Sequence, residues 1–354
     1  MKVVVVGGGV IGLSVAWRVA VQHEVTLVDP TPAKGASWVA GGMLAPVTEA
    51  WPGEEELLDL GSASLDRWPR FAADLGIGLH TRGTIVAAVD AADAAQLDVL
   101  AGFLAGRGRD VDGLTGRALR RVEPTIGPNV RSGLLVPGDL AVDNRELLRR
   151  LSSSAQDAGV EFVGESVRAV RQGSVELTGT TLHCDVAVIA AGAWSGALHP
   201  ALASVVHPVK GEILRLRARP NALPPPVYTV RALVESHPVY LVPRAGDELV
   251  VGATQYEAGF DDEVTVGGVR DLLAYAERVV PGIAEYGLTE CAAGLRAGSR
   301  DNLPLVGWLE PGVLAATGHH RNGLLLAPIT ADAVCALVAG DASSALDRLW
   351  QRTS

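Results

Sequence analysis

Val3, Val4, Val5 and Val6 form an unbroken apolar run between Lys2 and three glycines, the pattern of a short strand buried on both faces. Ile11 to Val21 carries apolar residues at helical spacing and Val25 to Val28 reads as a second strand, so the chain opens β-α-β. Beyond residue 55 helical patterns (Glu54 to Leu75, Ala91 to Gly106, Asn144 to Ala158) alternate with strands such as Gly83 to Val89. Two stretches read as β-hairpins. Val160 to Cys184 turns at Gln172-Gly173 and Thr178-Gly179, and Val239 to Thr254 turns at Ala245-Gly246-Asp247. The loop Pro220 to Pro226 is proline-rich and surface-bound, and no internal repeat is seen. A mixed α/β chain follows.

The 354 residues suit two domains, and 48% hydrophobic with 20% charged residues excludes disorder, a collagen repeat and a coiled coil. The formal charge is −10, and Lys2, Lys34 and Lys210 are the only lysines. With the arginines scattered singly, nucleic acid is a poor partner. Cys184, Cys291 and Cys335 lack CxxC spacing, which argues against a zinc site or disulfide framework and fits a reducing cytoplasm. The apolar start has clustered glycines that suit a strand and tight turn better than a signal peptide, and no run predicts a membrane span.

The most informative motif is Gly7-Gly8-Gly9-Val10-Ile11-Gly12, a G-x-G-x-x-G after a strand and before a helix, 22 residues ahead of the acid Asp29. Gly7 permits the tight turn, Gly9 lets the backbone approach a pyrophosphate, and Gly12 lets helix and strand pack. The helix N-terminus faces the phosphates and Asp29 accepts from the ribose hydroxyls. Nicotinamide and flavin enzymes share this opening. Two later segments favour flavin. Val186 to Ser195 is an apolar strand running into a small-residue turn, and Gly312 to Thr317 repeats the form before Gly318-His319-His320-Arg321-Asn322-Gly323. A helix from Leu324 onward would bring its dipole near a ring that accumulates negative charge, as reduced flavin does.

With these segments the chain resembles the D-amino-acid oxidase family of flavoproteins and, within it, the glycine oxidases of thiamine biosynthesis. The matching stretches are VVVVGGGVIG at the start, SWVAGGMLAP at Ser37 to Pro46, AAGAWSG at Ala190 to Gly196 and PVKGE at Pro208 to Glu212. They continue with YLVPR at Tyr240 to Arg244, VVGAT at Val250 to Thr254, AGLRAGSRDNLPLVG at Ala293 to Gly307 and GHHRNGLLLAP at Gly318 to Pro328. The resemblance implies a doubly wound, Rossmann-like FAD-binding domain from residues 1–77, 138–208 and 290–354. A substrate-binding domain on a mostly antiparallel sheet is implied from 78–137 and 209–289. It also implies a homo-oligomer, specifically a homotetramer.

Carried over by the same resemblance, Val10, Ile11, Asp29 and Pro30 hold the ADP half of FAD, Ser37 meets the phosphates, and Gly41, Gly42 and Met43 lie near the flavin. Val167 meets the adenine through its backbone, Gly192 approaches the nucleotide, and His319, His320, Arg321, Asn322, Gly323, Leu324 and Leu325 pass under the ring. Arg296, Tyr240 and Arg321 line the substrate side together with Gln255, which stands where these oxidases often place an apolar residue. His320 replaces an aromatic residue, so a more polar pocket is expected. Asp29 replaces the commoner glutamate.

An amino-acid oxidase must fix a carboxylate and present one Cα–H bond to flavin N5. Arg296 suits the first task, because a planar guanidinium holds a carboxylate through two parallel charge-assisted bonds, and Tyr240 adds a donor. No side-chain acid or base is needed if the amine arrives neutral. His319-His320 is not a metal pair, since adjacent side chains diverge, and no metal is expected. Gly192-Ala193-Trp194-Ser195-Gly196 places serine one position late for a hydrolase elbow. Cys291 does not match the spacing of a flavin tether, so FAD is expected to be non-covalent. The expected reaction takes glycine, other small amines or small D-amino acids and O2 to glyoxylate or a 2-oxo acid, ammonia and H2O2. Alternatives are a D-amino-acid dehydrogenase, for which no basic amphipathic membrane helix is visible, a sarcosine-type oxidase, and a non-catalytic flavin-bearing subunit.

Overall fold

The opening β-α-β unit forms as its pattern predicts. In the computed structural model, which describes residues 1–109 and 111–341, the strand Lys2–Val6 is followed by the helix Val10–Val19 and the strand Glu24–Val28. Val3 and Val5 join one hydrophobic core while Val4 and Val6 join another on the opposite face, which is why no polar residue interrupts the run. Burying each such side chain contributes roughly 1.5–3 kcal/mol.

The first strand sits centrally in a six-stranded sheet. Its order is Leu305–Glu310, Val313–Thr317, Val186–Ile189, Lys2–Val6, Glu24–Val28, Glu161–Val163. All neighbours are parallel except the edge pair Leu305–Glu310 with Val313–Thr317. The sheet is doubly wound: the chain moves outward from the central strand in one direction and then crosses to its other side. That leaves a switch point between Lys2–Val6 and Val186–Ile189, where open α/β sheets bind ligands at the carboxyl ends of their strands.

An eight-stranded sheet stands against this layer, ordered Gly287–Gly298, His207–Arg217, Glu248–Gly252, His237–Arg244, Thr229–Val234, Thr84–Ala88, Ser132–Val136, Asp112–Thr115. It is antiparallel except where Thr229–Val234 runs parallel to Thr84–Ala88. Helix Val266–Val279 packs on one face and helix Ala91–Gly106 contributes to the core on the other. The expected boundary at residue 290 falls inside Gly287–Gly298, which pairs with His207–Arg217 along its length with one register shift beside Glu290. Residues 342–354, expected with the FAD-binding segments, lie outside the described residues.

Three local expectations change. The pattern over Glu54 to Leu75 is two helices, Glu55–Leu65 and Trp68–Leu75, because Pro69 lacks an amide proton and is tolerated only in a first turn. The helix expected from Leu324 begins at Ala327 with Pro328 in its first turn, after a single 3-10 turn over His320–Asn322. Its N-terminus therefore stands about one turn beyond the expected place. Val160 to Cys184 is not one hairpin unit. Glu161–Val163 joins the parallel sheet, and only Val167–Arg171, Ser174–Leu177 and Thr181–His183 form the meander. Among the described residues no helix is long and apolar enough to cross a membrane.

Candidate active site

The glycine turn at the switch point has no space for side chains. Gly7 has φ 110°, and a Cβ there would lie 2.3 Å from the Ala190 carbonyl oxygen, while a Cβ on Gly12 would lie 1.8 Å from that of Gly7. The turn opens onto a cavity of about 420 Å³ lined by Gly7, Gly9, Val10, Ile11, Asp29, Pro30, Ser37, Val167, Gly192, His319, His320 and Gly323. A smaller one of about 120 Å³ is lined by Gly41, Gly42, Met43, Glu49, Tyr240, Arg296, Arg321 and Leu324. Val10, Ser37, Arg296, His320 and Gly323 line both, so the two adjoin.

The larger cavity is furnished for a dinucleotide. At the start of helix Val10–Val19 the Val10 amide donates to Ser37 Oγ at 3.1 Å and the Leu13 amide to the Gly9 carbonyl, whereas the Ile11 amide has no acceptor among the described residues. Ser37 accepts in that bond and keeps its hydroxyl proton for another partner. A free amide, a free hydroxyl proton and a helix N-terminus together suit a pyrophosphate. Asp29 is fixed by the amides of Gly8 at 2.6 Å and Thr31 at 2.7 Å, one on each carboxylate oxygen, with lone pairs remaining for ribose hydroxyls. FAD therefore fits: Gly7 to Ile11 and Ser37 would hold its phosphates, Asp29 its ribose and Val167 its adenine end.

The smaller cavity owes its shape to glycines in neighbouring strands. Tyr240 pairs in register with Gly252, where a Cβ would lie 2.4 Å from the phenol oxygen, and a Cβ on Gly41 would lie 2.6 Å from the ring. Arg296 leans over Gly211, where a Cβ would lie 2.3 Å from its guanidinium. Gly211 and Gly252 thus leave a trough between the strands that carry Arg296 and Tyr240. Arg296 reaches only two backbone carbonyls, those of Lys210 at 3.5 Å and Thr254 at 3.3 Å. No carboxylate among the described residues pairs with it. Burial holds the Arg296 guanidinium below its ordinary value and pushes the Tyr240 phenol up.

The loop after the strand Val313–Thr317 divides its residues. His319 is buried and its Nε2 lies 2.9 Å from Thr330 Oγ1, while His320 stands at the junction of the cavities in a left-handed conformation, φ 47°. Burial lowers His319 to about 3 and His320 to about 4, so both are neutral imidazoles at physiological pH. Arg321 reaches the smaller cavity but is engaged by Glu54 at 2.6 Å and Glu49 at 3.7 Å. Asn322 and Leu325 line neither cavity. The Asn322 amide bonds the His319 carbonyl, and the Leu325 carbonyl accepts from Ser64 and Trp68, which anchors the end of the loop. Gln255 is exposed and lines neither cavity, and Cys291 is exposed on its strand. Among the described residues no cluster could hold a metal.

Several residues in or beside the cavities escape sequence reasoning. Trp194 and Gly211 lie inside quoted motifs yet carry no local mark of their role. Lys34 at the cavity rim stacks its ammonium 3.9 Å above Trp38. Arg244, in the strand of Tyr240, donates to the Gly41 carbonyl and so fixes the Gly41-Gly42 turn. Glu49 is hidden beside the acidic run Glu54 to Glu56.

Asp139 lines neither cavity and is wholly buried. One oxygen accepts from Thr48 Oγ1 at 2.7 Å and the other has no well-formed hydrogen bond. Burial raises its carboxyl to about 6, against the opposing pull of the Thr48 hydroxyl and Arg231. Between the ordinary carboxylate value and about 6 the folded state holds this proton more tightly than the unfolded chain. Its contribution to stability therefore falls as pH rises through that window, by on the order of 3 kcal/mol. The Asp139→Asn variant should accordingly gain Tm relative to the parent between pH 4 and pH 8. A Tm difference that is constant with pH would show that Asp139 ionises freely.

The profile of the FAD dependent oxidoreductase family, DAO, matches residues 2–337. The chain is 33% identical to the glycine oxidase of Geobacillus kaustophilus over 95% of its own length and 92% of that protein's. A crystal structure of glycine oxidase from that organism superimposes with a TM-score of 0.89 at 32% identity, covering 98% of this chain and 97% of the other. A Rhizobium etli protein that bears the provisional name thiamine biosynthesis oxidoreductase ThiO is 33% identical, over 94% of this chain and 95% of its own. The chain also matches the bifunctional protein ThiO/ThiG of Nostoc at 32% identity, over 97% of this chain, and spans 53% of that protein's length.

Proposed function

The chain belongs to the DAO family of FAD-dependent oxidoreductases, and from that premise we propose that it is a glycine oxidase. It takes glycine, water and O2 to glyoxylate, ammonia and hydrogen peroxide, and other small amines or D-amino acids likewise. The similarity to ThiO supports a place for this oxidation in thiazole formation for thiamine.

FAD held non-covalently in the larger cavity would supply the acceptor for the hydride of the substrate Cα. Arg296 takes the carboxylate through two parallel bonds, and Tyr240 donates a third. With the carboxylate held there, the Cα is kept inside the site, so transfer becomes effectively intramolecular. His319 and His320, both neutral, neither repel the guanidinium nor supply a proton.

One observation carries the reading. Arg296 is a deep guanidinium without a carboxylate partner among the described residues, open to a cavity that adjoins a dinucleotide cradle. Buried charges are otherwise paired, so an anion is the expected occupant. The test is oxygen uptake by the purified, FAD-loaded protein with glycine. Uptake with stoichiometric peroxide supports the oxidase, and reduction of a quinone analogue without uptake would overturn it in favour of a dehydrogenase. The protein is further proposed to work in the cytoplasm as a homotetramer, and light scattering of the FAD-loaded protein should give four times the chain mass.

A further inference from the structure

We propose that Glu49 receives the substrate's amino group and thereby selects amino acids over other small carboxylates, an assignment that rests on the amino-acid oxidation proposed above. An amino acid presents one anionic and one nitrogen end, and Arg296 and Tyr240 answer only the first. Among the described residues Glu49 is the one carboxylate that lines the smaller cavity with them, and its charge acts on both.

Its backbone is unusually well fixed for a residue outside regular structure. The Glu49 amide donates to the Ala45 carbonyl at 3.1 Å, and its own carbonyl accepts from Arg321 at 3.4 Å. At the preceding residue the Thr48 carbonyl accepts from Arg231 at 2.7 Å, and the Thr48 hydroxyl donates to buried Asp139. The segment is thus held from the strand Thr229–Val234, from the loop that carries Arg321, and from the turn before Leu140–Val142.

The carboxylate on this fixed backbone is 14% exposed and only loosely engaged. Its oxygens lie 3.4 Å from Arg231 and 3.7 Å from Arg321, ion pairs without an aligned hydrogen bond. Arg321 meanwhile gives its short contact, 2.6 Å, to Glu54. Two neighbouring cations balance the charge of Glu49 while its lone pairs stay open, which is what an N–H donor requires. Glu49 accepts from the amine and orients it.

The test compares glycine with acetate, which keeps the carboxylate and lacks the amine, on FAD-loaded Glu49→Gln. Acetate affinity is read from the flavin absorption change on titration, with no turnover involved. Glycine KM should rise about fivefold to tenfold, because a charge-assisted bond is replaced by a neutral one. Acetate Kd should stay level or fall, because a negative charge has been removed from beside an anion site. Opposite movements support the assignment, since displacement of Arg296 would weaken both ligands together. Parallel weakening, or a glycine KM within twofold of the parent, would overturn it. If Glu49→Gln does not retain flavin, Glu49→Asp serves: the shortened carboxylate should weaken glycine and leave acetate unchanged, and equal effects on both would overturn the proposal. A parent protein that binds acetate yet oxidises no amino acid would overturn the oxidase reading itself, whereas active parent enzyme with parallel changes overturns only the role of Glu49.

Discussion

Replacing Arg296 by leucine should raise the apparent KM for glycine by tens to hundreds of fold while FAD stays bound. A charge-assisted hydrogen bond contributes on the order of 1.5–3 kcal/mol, and each ~1.4 kcal/mol is a factor of ten. Two parallel bonds are lost, but solvent enters the trough and recovers part of their energy. Retention of FAD is expected because the flavin cradle relies on Gly7 to Ile11, Ser37 and Asp29, none of which bonds Arg296. Among the described residues the change strands no carboxylate, and only the Lys210 and Thr254 carbonyls lose a donor. Steady-state kinetics with glycine decide the matter. Parental KM would remove Arg296 from the carboxylate site, and a fall confined to kcat would move its contribution to the transition state. Gly211→Ala offers an independent check, because its Cβ would occupy the space of the guanidinium and should reproduce part of the defect with Arg296 intact.

What could be read from the sequence was whatever lies close together along it. The β-α-β opening, its glycine turn and Asp29 fall within thirty residues, and local periodicity with steric rules was enough to place them. Arg296 and Tyr240 were found differently, through resemblance, because nothing nearby marks either as a ligand. Their meeting depends on strands from distant parts of the chain, with Gly211 and Gly252 on the two strands between them, and pairing register is not written in any one window. Glu49 was missed for the same reason: Arg231, Arg321 and Asp139, which fix it, come from three separate segments. Gln255 was placed on the substrate side by the same resemblance, whereas the structure turns that residue outward after Thr254 has bonded back to Glu212. The late start of the helix at Ala327 was legible in Pro328, which belongs in a first turn.

The kcat/KM for glycine should climb about tenfold per pH unit from neutral pH until the substrate's amine is free, because the proton that must leave is the substrate's own. His319 and His320, at about 3 and about 4, have lost their protons well below neutrality, and buried Asp139, at about 6, lines neither cavity. Burial pushes the Tyr240 phenol upward and away from the range, and Arg296 remains a cation. The variable left is the substrate: an ammonium cannot release hydride from its Cα as readily as an amine with a free lone pair. The cavity of about 120 Å³ sets the companion expectation for size. Glycine, sarcosine and D-alanine should be turned over, with glycine and D-alanine within several-fold because a methyl group that fits gains roughly 1 kcal/mol or less. D-phenylalanine should react poorly, since its ring would have to enter the trough that Tyr240 and Arg296 already fill. Rates measured from pH 6 to pH 10 on this series test both points. A maximum near pH 6 would show that a protein group takes the amine's proton and would overturn the neutral-amine mechanism, and efficient turnover of D-phenylalanine without glycine would assign the enzyme to a different substrate on the same fold.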